Sequence, residues 1–198
     1  MVARISNPPP RRAIDKIRDS ARELFYAEGI RAVGVEEIVS RAGVTKPSLY
    51  RGFGSKDELA VAVLRDGEAG FWRRWDEAVA AHPGAPRAQL VGFFEGLAQR
   101  STREDYRGCG LTNAVIEYPE RDHPARMVSE AHKRDLRARL RGKAVELGAN
   151  DPDGLGDALV LLVEGAYVSS QIFGAGGPSG AVAQAAAAVI DAYLPRAS

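Results

Sequence analysis

Apolar residues recur every three or four positions along most of this chain, the period of a helix with one buried face. From Arg12 to Glu28 they fall at Ile14, Ile17, Ala21, Leu24 and Phe25, which predicts one helix stopped by Gly29. Val35, Ile38 and Val39 predict a short helix over 35–42 that buries all three. Leu49 and Phe53, four apart, predict another over 46–53. Thr45 stands as the N-cap of that helix, and Pro47 sits in its first turn, where a missing amide costs little. Ser55 and Glu58 have the spacing of a capping box and open a long helix over 56–81, weakened in its middle by Gly67 and Gly70. Further helices are predicted over 87–101, 109–117, 124–147, 154–173 and 180–194. The breaks between them fall at Tyr118-Pro119, His123-Pro124, Asn150-Asp151-Pro152 and the glycine-rich stretch 174–178. No segment alternates like a strand. The pattern predicts an all-α protein of about nine helices.

The second and third helices, joined by the turn Ala42-Gly43-Val44, have the shape of a helix-turn-helix, whose second helix can enter the DNA major groove. This predicts a polar, proline-rich disordered arm over 1–10, a helix-turn-helix DNA-binding domain over 11–56, and a C-terminal domain over 57–198.

Charge sharpens that division. Residues 1–56 hold 11 Lys and Arg against 6 Asp and Glu, whereas the remainder holds 16 against 20, although the net charge is only +1. A basic first quarter on a mildly acidic body is the footprint of a nucleic-acid reader with a separate second function. The N-terminus lacks the apolar core of a signal peptide, and no apolar run looks long enough to span a bilayer, so a cytoplasmic protein with no membrane partner is expected. The single cysteine, Cys109, excludes an internal disulfide.

Within the third helix, Lys46, Ser48 and Arg51, and in part Tyr50, should face outward. Lysine and arginine reach guanine edges or phosphates, and serine and threonine reach either. Pro47 and the Tyr50 ring offer flat apolar surface to a thymine methyl or a sugar. Lys56, in the first turn of the next helix, can grip a phosphate together with free amides. The expected DNA-contacting set is Thr45, Lys46, Pro47, Ser48, Tyr50, Arg51 and Lys56.

These residues carry a resemblance. Gly29, Val35, Ile38, Ala42-Gly43-Val44, the segment from Lys46 to Tyr50, and Phe53, Ser55, Lys56 and Leu59 together resemble the N-terminal domain of the TetR family of transcriptional regulators, over about 50 residues. Arg107-Gly108-Cys109-Gly110, before a helix ending in Glu117, is similar to one subgroup. The resemblance implies a three-helix DNA-binding domain, a linker helix, and a C-terminal domain that dimerises and holds a small-molecule cavity. It also implies DNA contacts for Lys46, Pro47, Ser48, Tyr50 and Lys56. Two departures stand out. Val33 and Gly34 replace a threonine-containing pair that caps the second helix and touches phosphate. Gly52 replaces a larger residue, often histidine, which should remove one contact and loosen the end of the third helix.

In the C-terminal part, helices 154–173 and 180–194 are rich in small and apolar residues. They suit either a four-helix homodimer interface or an ordinary core, and the resemblance favours the dimer. Polar groups on apolar segments mark a candidate effector site: Asn113, Glu117, Tyr118, Glu164, Tyr167 and Gln171, with Trp72, Trp75, Phe94 and Met127 as walls. Such a lining fits a mostly apolar effector with one or two hydrogen-bonding groups. Cys109 reads either as a thiol sensor or as a small packed residue. His82, His123 and His132 are scattered, and neither Asp122-His123 nor Glu130-His132 gathers the ligands a transition metal needs. No phosphate loop or nucleophile elbow points to catalysis, and no metal or cofactor is expected. The expected function is a homodimeric, ligand-responsive repressor released from a palindromic double-stranded operator by a small-molecule effector. A helical adaptor without specific DNA binding is the alternative.

Overall fold

The computed structural model describes residues 12–195; the arm expected over 1–10 lies outside them. Among the described residues the regular structure is helical throughout: α1 (Ala13–Glu28), α2 (Val35–Ala42), α3 (Lys46–Phe53), α4 (Lys56–Ala80), α5 (Pro86–Ser101), α6 (Gly110–Glu117), α7 (Pro124–Glu146), α8 (Pro152–Phe173) and α9 (Val182–Tyr193). The last helix starts two residues later than its apolar pattern suggests. Gly174–Gly176 and Pro178–Ala181 form short 3-10 turns instead, in a stretch too rich in glycine and proline to begin an α-helix. Contacts divide the chain into two compact units that meet at Val63 and Leu64, inside α4.

In the N-terminal unit α1 packs on α2 and α3. Ile17, Ala21, Ile38, Leu49 and Leu59, each fully buried, form the core that the three-and-four spacing implied. Two apolar residues of that pattern sit at its margin. Ile14 is 36% exposed, with its side chain over Gly52, and Val35 is half-buried in the first turn of α2. Gly43 closes α2 in the left-handed region (φ 63, ψ 41) and donates to the Ser40 carbonyl, while Val44 donates to Val39. A side chain at 43 would strain this conformation, so the turn between α2 and α3 depends on glycine.

The C-terminal unit is built by α7 on α8, α5 on α9 and α8 on α9. Its core combines an aromatic end (Phe71, Trp75, Phe93, Phe94) with an aliphatic end (Leu136, Leu140, Leu155, Leu159, Ile190). At Gly156 the α8 backbone approaches α7 so closely that a Cβ would lie 2.9 Å from the Arg141 Cα. Alongside, Asp157 accepts from both Arg137 (2.7 and 2.6 Å) and Arg141 (3.0 and 2.8 Å). Those guanidiniums hold its carboxyl far below the usual carboxylate range.

One expectation is corrected here. The stretch Pro152–Gly176 is long and apolar enough, by length and composition, to cross a membrane (mean hydropathy 1.4). Asp157 and Glu164 interrupt the run to the eye without lowering its average enough. Both are ion-paired to α7, through Arg137 and Lys133, and Leu155, Leu159 and Val163 on the same helix are fully buried. One face of this helix therefore packs in protein, while the other leaves Leu161, Val168 and Ile172 exposed.

Candidate DNA-reading surface and effector region

Leu49 anchors α3 with no exposure at all, and that fixes which side chains turn outward. Thr45, Lys46, Pro47, Tyr50 and Arg51 are exposed and Ser48 half-exposed, with Tyr50 showing 44% of its surface. Thr45 occupies the N-cap position by backbone geometry (φ −101, ψ 153). Its carbonyl accepts from the amides of Ser48 and Leu49, but its hydroxyl caps nothing. That hydroxyl lies 3.0 Å from the Ser48 hydroxyl, and the two form one small polar spot at the start of α3. Lys46 Nζ lies 2.6 Å from a Glu36 carboxylate oxygen in the first turn of α2, and this bond raises the lysine's affinity for its proton. Lys56 is half-buried and donates to the Arg31 carbonyl at 3.5 Å. All seven expected residues thus lie on or beside α3, five of them exposed. Glu36 was missed because an acidic residue on α2 gave no reason to look ten positions ahead for a lysine.

The two departures have structural consequences. Val33 is buried to 1% exposure, so it serves the core where a hydroxyl would cap. Gly34 occupies the N-cap of α2 without a side-chain bond, and a Cβ there would meet nothing within 4 Å. At Gly52 a Cβ would touch Ile14 at 3.4 Å, ordinary contact, so glycine is not sterically required there. The Ser55–Glu58 box is half formed. Ser55 Oγ accepts from the Glu58 amide at 3.0 Å, while the Glu58 carboxylate lies over Gly54.

The C-terminal candidates separate into groups. Asn113, Glu164, Tyr167 and Gln171 come together. Gln171 Nε2 lies 3.5 Å from Asn113 Oδ1 and 3.4 Å from the Tyr167 carbonyl, and Asn113 donates to the Arg107 carbonyl at 3.0 Å. Lys133 Nζ sits 2.7 Å from Glu164 and 4.9 Å over the Tyr167 ring. Thr112 donates to the other oxygen of Glu164 at 2.8 Å. Burial pushes the Tyr167 phenol well above its usual pKa, so it stays a hydroxyl donor. Trp72, Trp75 and Phe94 join Phe71 and Phe93 in edge-to-face contacts at 4.9–6.3 Å.

Glu117 is half-buried, and Tyr118 forms a stacked pair with His123 (3.6 Å between centroids), with Arg126 donating to the Tyr118 carbonyl. Met127 is corrected. It is 56% exposed, off the buried α7 stripe of Ala125, Ser129, His132 and Leu136, and supplies no wall. Cys109 is the N-cap of α6, half-buried, with Lys133 Nζ 3.8 Å from its sulfur.

His132 is the residue that sequence reasoning undervalued. Its side chain is wholly buried against Phe71 and Trp72 (4.7 and 5.0 Å between centroids), and neither ring nitrogen has a hydrogen-bond partner. Glu68 Oε1 lies 3.5 Å from Nδ1. Burial first, then the charge of Lys133, lowers its pKa to about 4. Glu130, two residues earlier, turns away to Arg126 and Arg134, so the two side chains do not converge. Among the described residues no group of three His, Cys, Asp or Glu gathers to bind one.

Comparison with known proteins adds lineage to this geometry. A family model described as bacterial regulatory proteins, tetR family, matches residues 17–63, the whole of α2 and α3 with most of α1. The transcriptional activator FasR of Mycolicibacterium smegmatis is 52% identical over 46 residues, 23% of this chain but only 21% of that protein. The transcriptional regulator AcuR of Cereibacter sphaeroides is 31% identical over 162 residues, covering 76% of this chain and 72% of its own. A solved TetR-type regulator from Streptomyces avermitilis superposes with a TM-score of 0.80 at 32% identity, over 92% of this chain and 98% of that one. Similarity at this level across both units, and not the reading head alone, shows that the chain belongs to the TetR family of transcriptional regulators.

Proposed function

We propose that this protein is a cytoplasmic, homodimeric repressor that reads a palindromic operator through α3 and leaves it when a small, mostly apolar effector binds the C-terminal unit. The observation that carries this reading is the orientation of α3: Leu49 is fully buried, while Lys46, Pro47, Tyr50 and Arg51 are exposed on one short helix. One such helix reads few base pairs. A two-fold dimer would place two about one DNA turn apart, roughly 34–36 Å, and double the site. An exposed apolar stripe on α8 supports the dimer: Leu161 (73% exposed), Val168, Ile172 (65%) and Phe173 (61%), with exposed Gly165 between them. Left in water it would be a liability, and a second copy would cover it. The effector acts only through its differential affinity for the DNA-competent and released states.

A titration of the purified protein against DNA flanking its own gene, at two salt concentrations with non-specific competitor, tests the reading. A discrete, competitor-resistant complex that weakens steeply with salt is expected. Lys46→Ala and Tyr50→Ala should each lower operator affinity by about tenfold to a hundredfold while leaving the dimer intact by sedimentation. Unchanged binding by both variants would remove α3 as the reader. Salt-insensitive, non-specific association by the parent protein would favour an adaptor.

A further inference from the structure

Arg100 is a half-buried cation without a counter-ion. It lies in the last turn of α5, and among the described residues its guanidinium makes no hydrogen bond and no ion pair. The unit's other sheltered cations are neutralised: Arg126 by Glu130, Lys133 by Glu164, Arg141 by Asp153 and Asp157, and Lys143 by Glu146. The charged neighbour Arg100 does have is another cation, Arg74 of α4, which also lacks an ion pair among the described residues. Burial, and then the Arg74 charge, disfavour the charged guanidinium, and Tyr106 and Tyr167 offset this only in part. An uncompensated charge in a sheltered place is costly, and proteins rarely keep one without a use.

The local geometry holds that charge in place. Gly96 is one turn back on the same helix, and a Cβ there would lie 3.1 Å from Arg100 Nη1. The guanidinium therefore lies folded along α5 over a residue with no side chain. Tyr167 on α8 is 4% exposed, and its hydroxyl has no hydrogen-bond partner among the described residues. Tyr167 is part of the packed cluster that contains Phe71, Phe93 and Trp75, with Trp72 and Tyr106 against it. α5, which carries Arg100, packs on α8, which carries Tyr167, so one fork of N–H donors, one unused hydroxyl and the aromatic core belong to two packed helices.

We infer that Arg100 and the Tyr167 hydroxyl receive a carboxylate, so that the effector is a small monocarboxylate with an apolar body. A planar carboxylate matches the guanidinium fork with two parallel bonds, and the phenol can donate a third. The apolar body would lie against the aromatic side chains. This rests on the reading of the C-terminal unit as an effector domain, and it can be tested without DNA.

Trp72 and Trp75, the only tryptophans of the chain, belong to this region, so intrinsic fluorescence reads binding to the full-length protein directly. Octanoate and phenylacetate are titrated against their methyl esters, with inorganic phosphate as the anion lacking an apolar body. The acids should saturate in the millimolar range or below, and the esters should bind at least about tenfold more weakly. Arg100→Gln should weaken the acids by about tenfold to a hundredfold, leave the esters unchanged, and raise the melting temperature of the free protein by removing an unpaired charge. Tyr167→Phe should weaken the acids a few-fold and provides a second readout. The inference is overturned if neither acid saturates, if acid and ester bind alike, if phosphate binds as well as the acids, or if Arg100→Gln binds the acids normally or melts lower than the parent. Failure of operator binding with acid binding intact would instead count against the regulator reading alone.

Discussion

The surface of α3 and the interior of the C-terminal unit treat charge in opposite ways. Around α3 the charged groups are exposed and loosely held: Lys46 and Glu36 keep 48% and 74% of their side-chain surface in their 2.6 Å contact. Exposed pairs of this kind contribute little to stability, so they can be exchanged for a phosphate or a base at small cost. In the C-terminal unit Lys133, Arg126 and Lys143 are sheltered to 13–19% exposure and each has a carboxylate. There a change of charge or volume is expensive. A surface that must meet an external polyanion keeps its bonds cheap, whereas a packed interior keeps its charges paired and fixed.

The sharpest test of that contrast is acid. His132 is neutral when folded, with a pKa lowered from 6.5 to about 4. Its contribution is constant above about pH 6.5, where both folded and unfolded forms are neutral. As pH falls from about 6.5 towards about 4 the unfolded chain binds the proton first, so stability is lost, by up to about 3 kcal/mol. Glu68, 3.5 Å from Nδ1, limits the loss by favouring the imidazolium. Urea denaturation of the parent and of His132→Phe across this range should show a slope in the parent that the variant largely lacks. Equal slopes would mean that His132 does not titrate differently on folding.

Next in size is volume. Gly156→Ala would drive a methyl into the Arg141 backbone and should cost about 1–3 kcal/mol, read as a lower urea midpoint. The matching change on the reading head has the opposite sign. Gly52→Ala places a methyl in ordinary contact with Ile14 and removes a glycine from a helix, which should stabilise by about 0.5–1 kcal/mol. A destabilised Gly52→Ala would show that α3 is strained in a way its contacts do not reveal. The smallest effect concerns Glu36→Gln. Freeing Lys46 and removing a negative charge from the DNA-facing side should tighten non-specific DNA binding a few-fold at low salt. An unchanged affinity would mean that the pair costs DNA binding nothing.

How much was legible in the chain differs between the units for a physical reason. In the N-terminal unit the chemistry follows from neighbours in sequence. Leu49 sets the inward face of α3, so Lys46, Pro47, Tyr50 and Arg51 had to face out, and Gly43 marked the turn. The aromatic cluster and the helix boundaries of the C-terminal unit were also readable, because period and breakers are local properties. Met127 failed because a single apolar residue on a long helix says nothing of its phase, although the stripe of Ala125, Ser129, His132 and Leu136 on the same helix would have shown it to point outward.

The order of helices, the helix-turn-helix and the outward residues of α3 were determined by the sequence alone, since each depends on contacts within a few residues of chain. Which polar groups of the C-terminal unit meet was decided only by the tertiary structure. Glu164 finds Thr112, 52 residues away, and Lys133. Arg100 is left without a carboxylate, and His132 is sealed among aromatic rings without a hydrogen bond. Partnership and burial are set by how helices distant in sequence pack, and hydrophobic periodicity gives the face of a helix but not what lies opposite it.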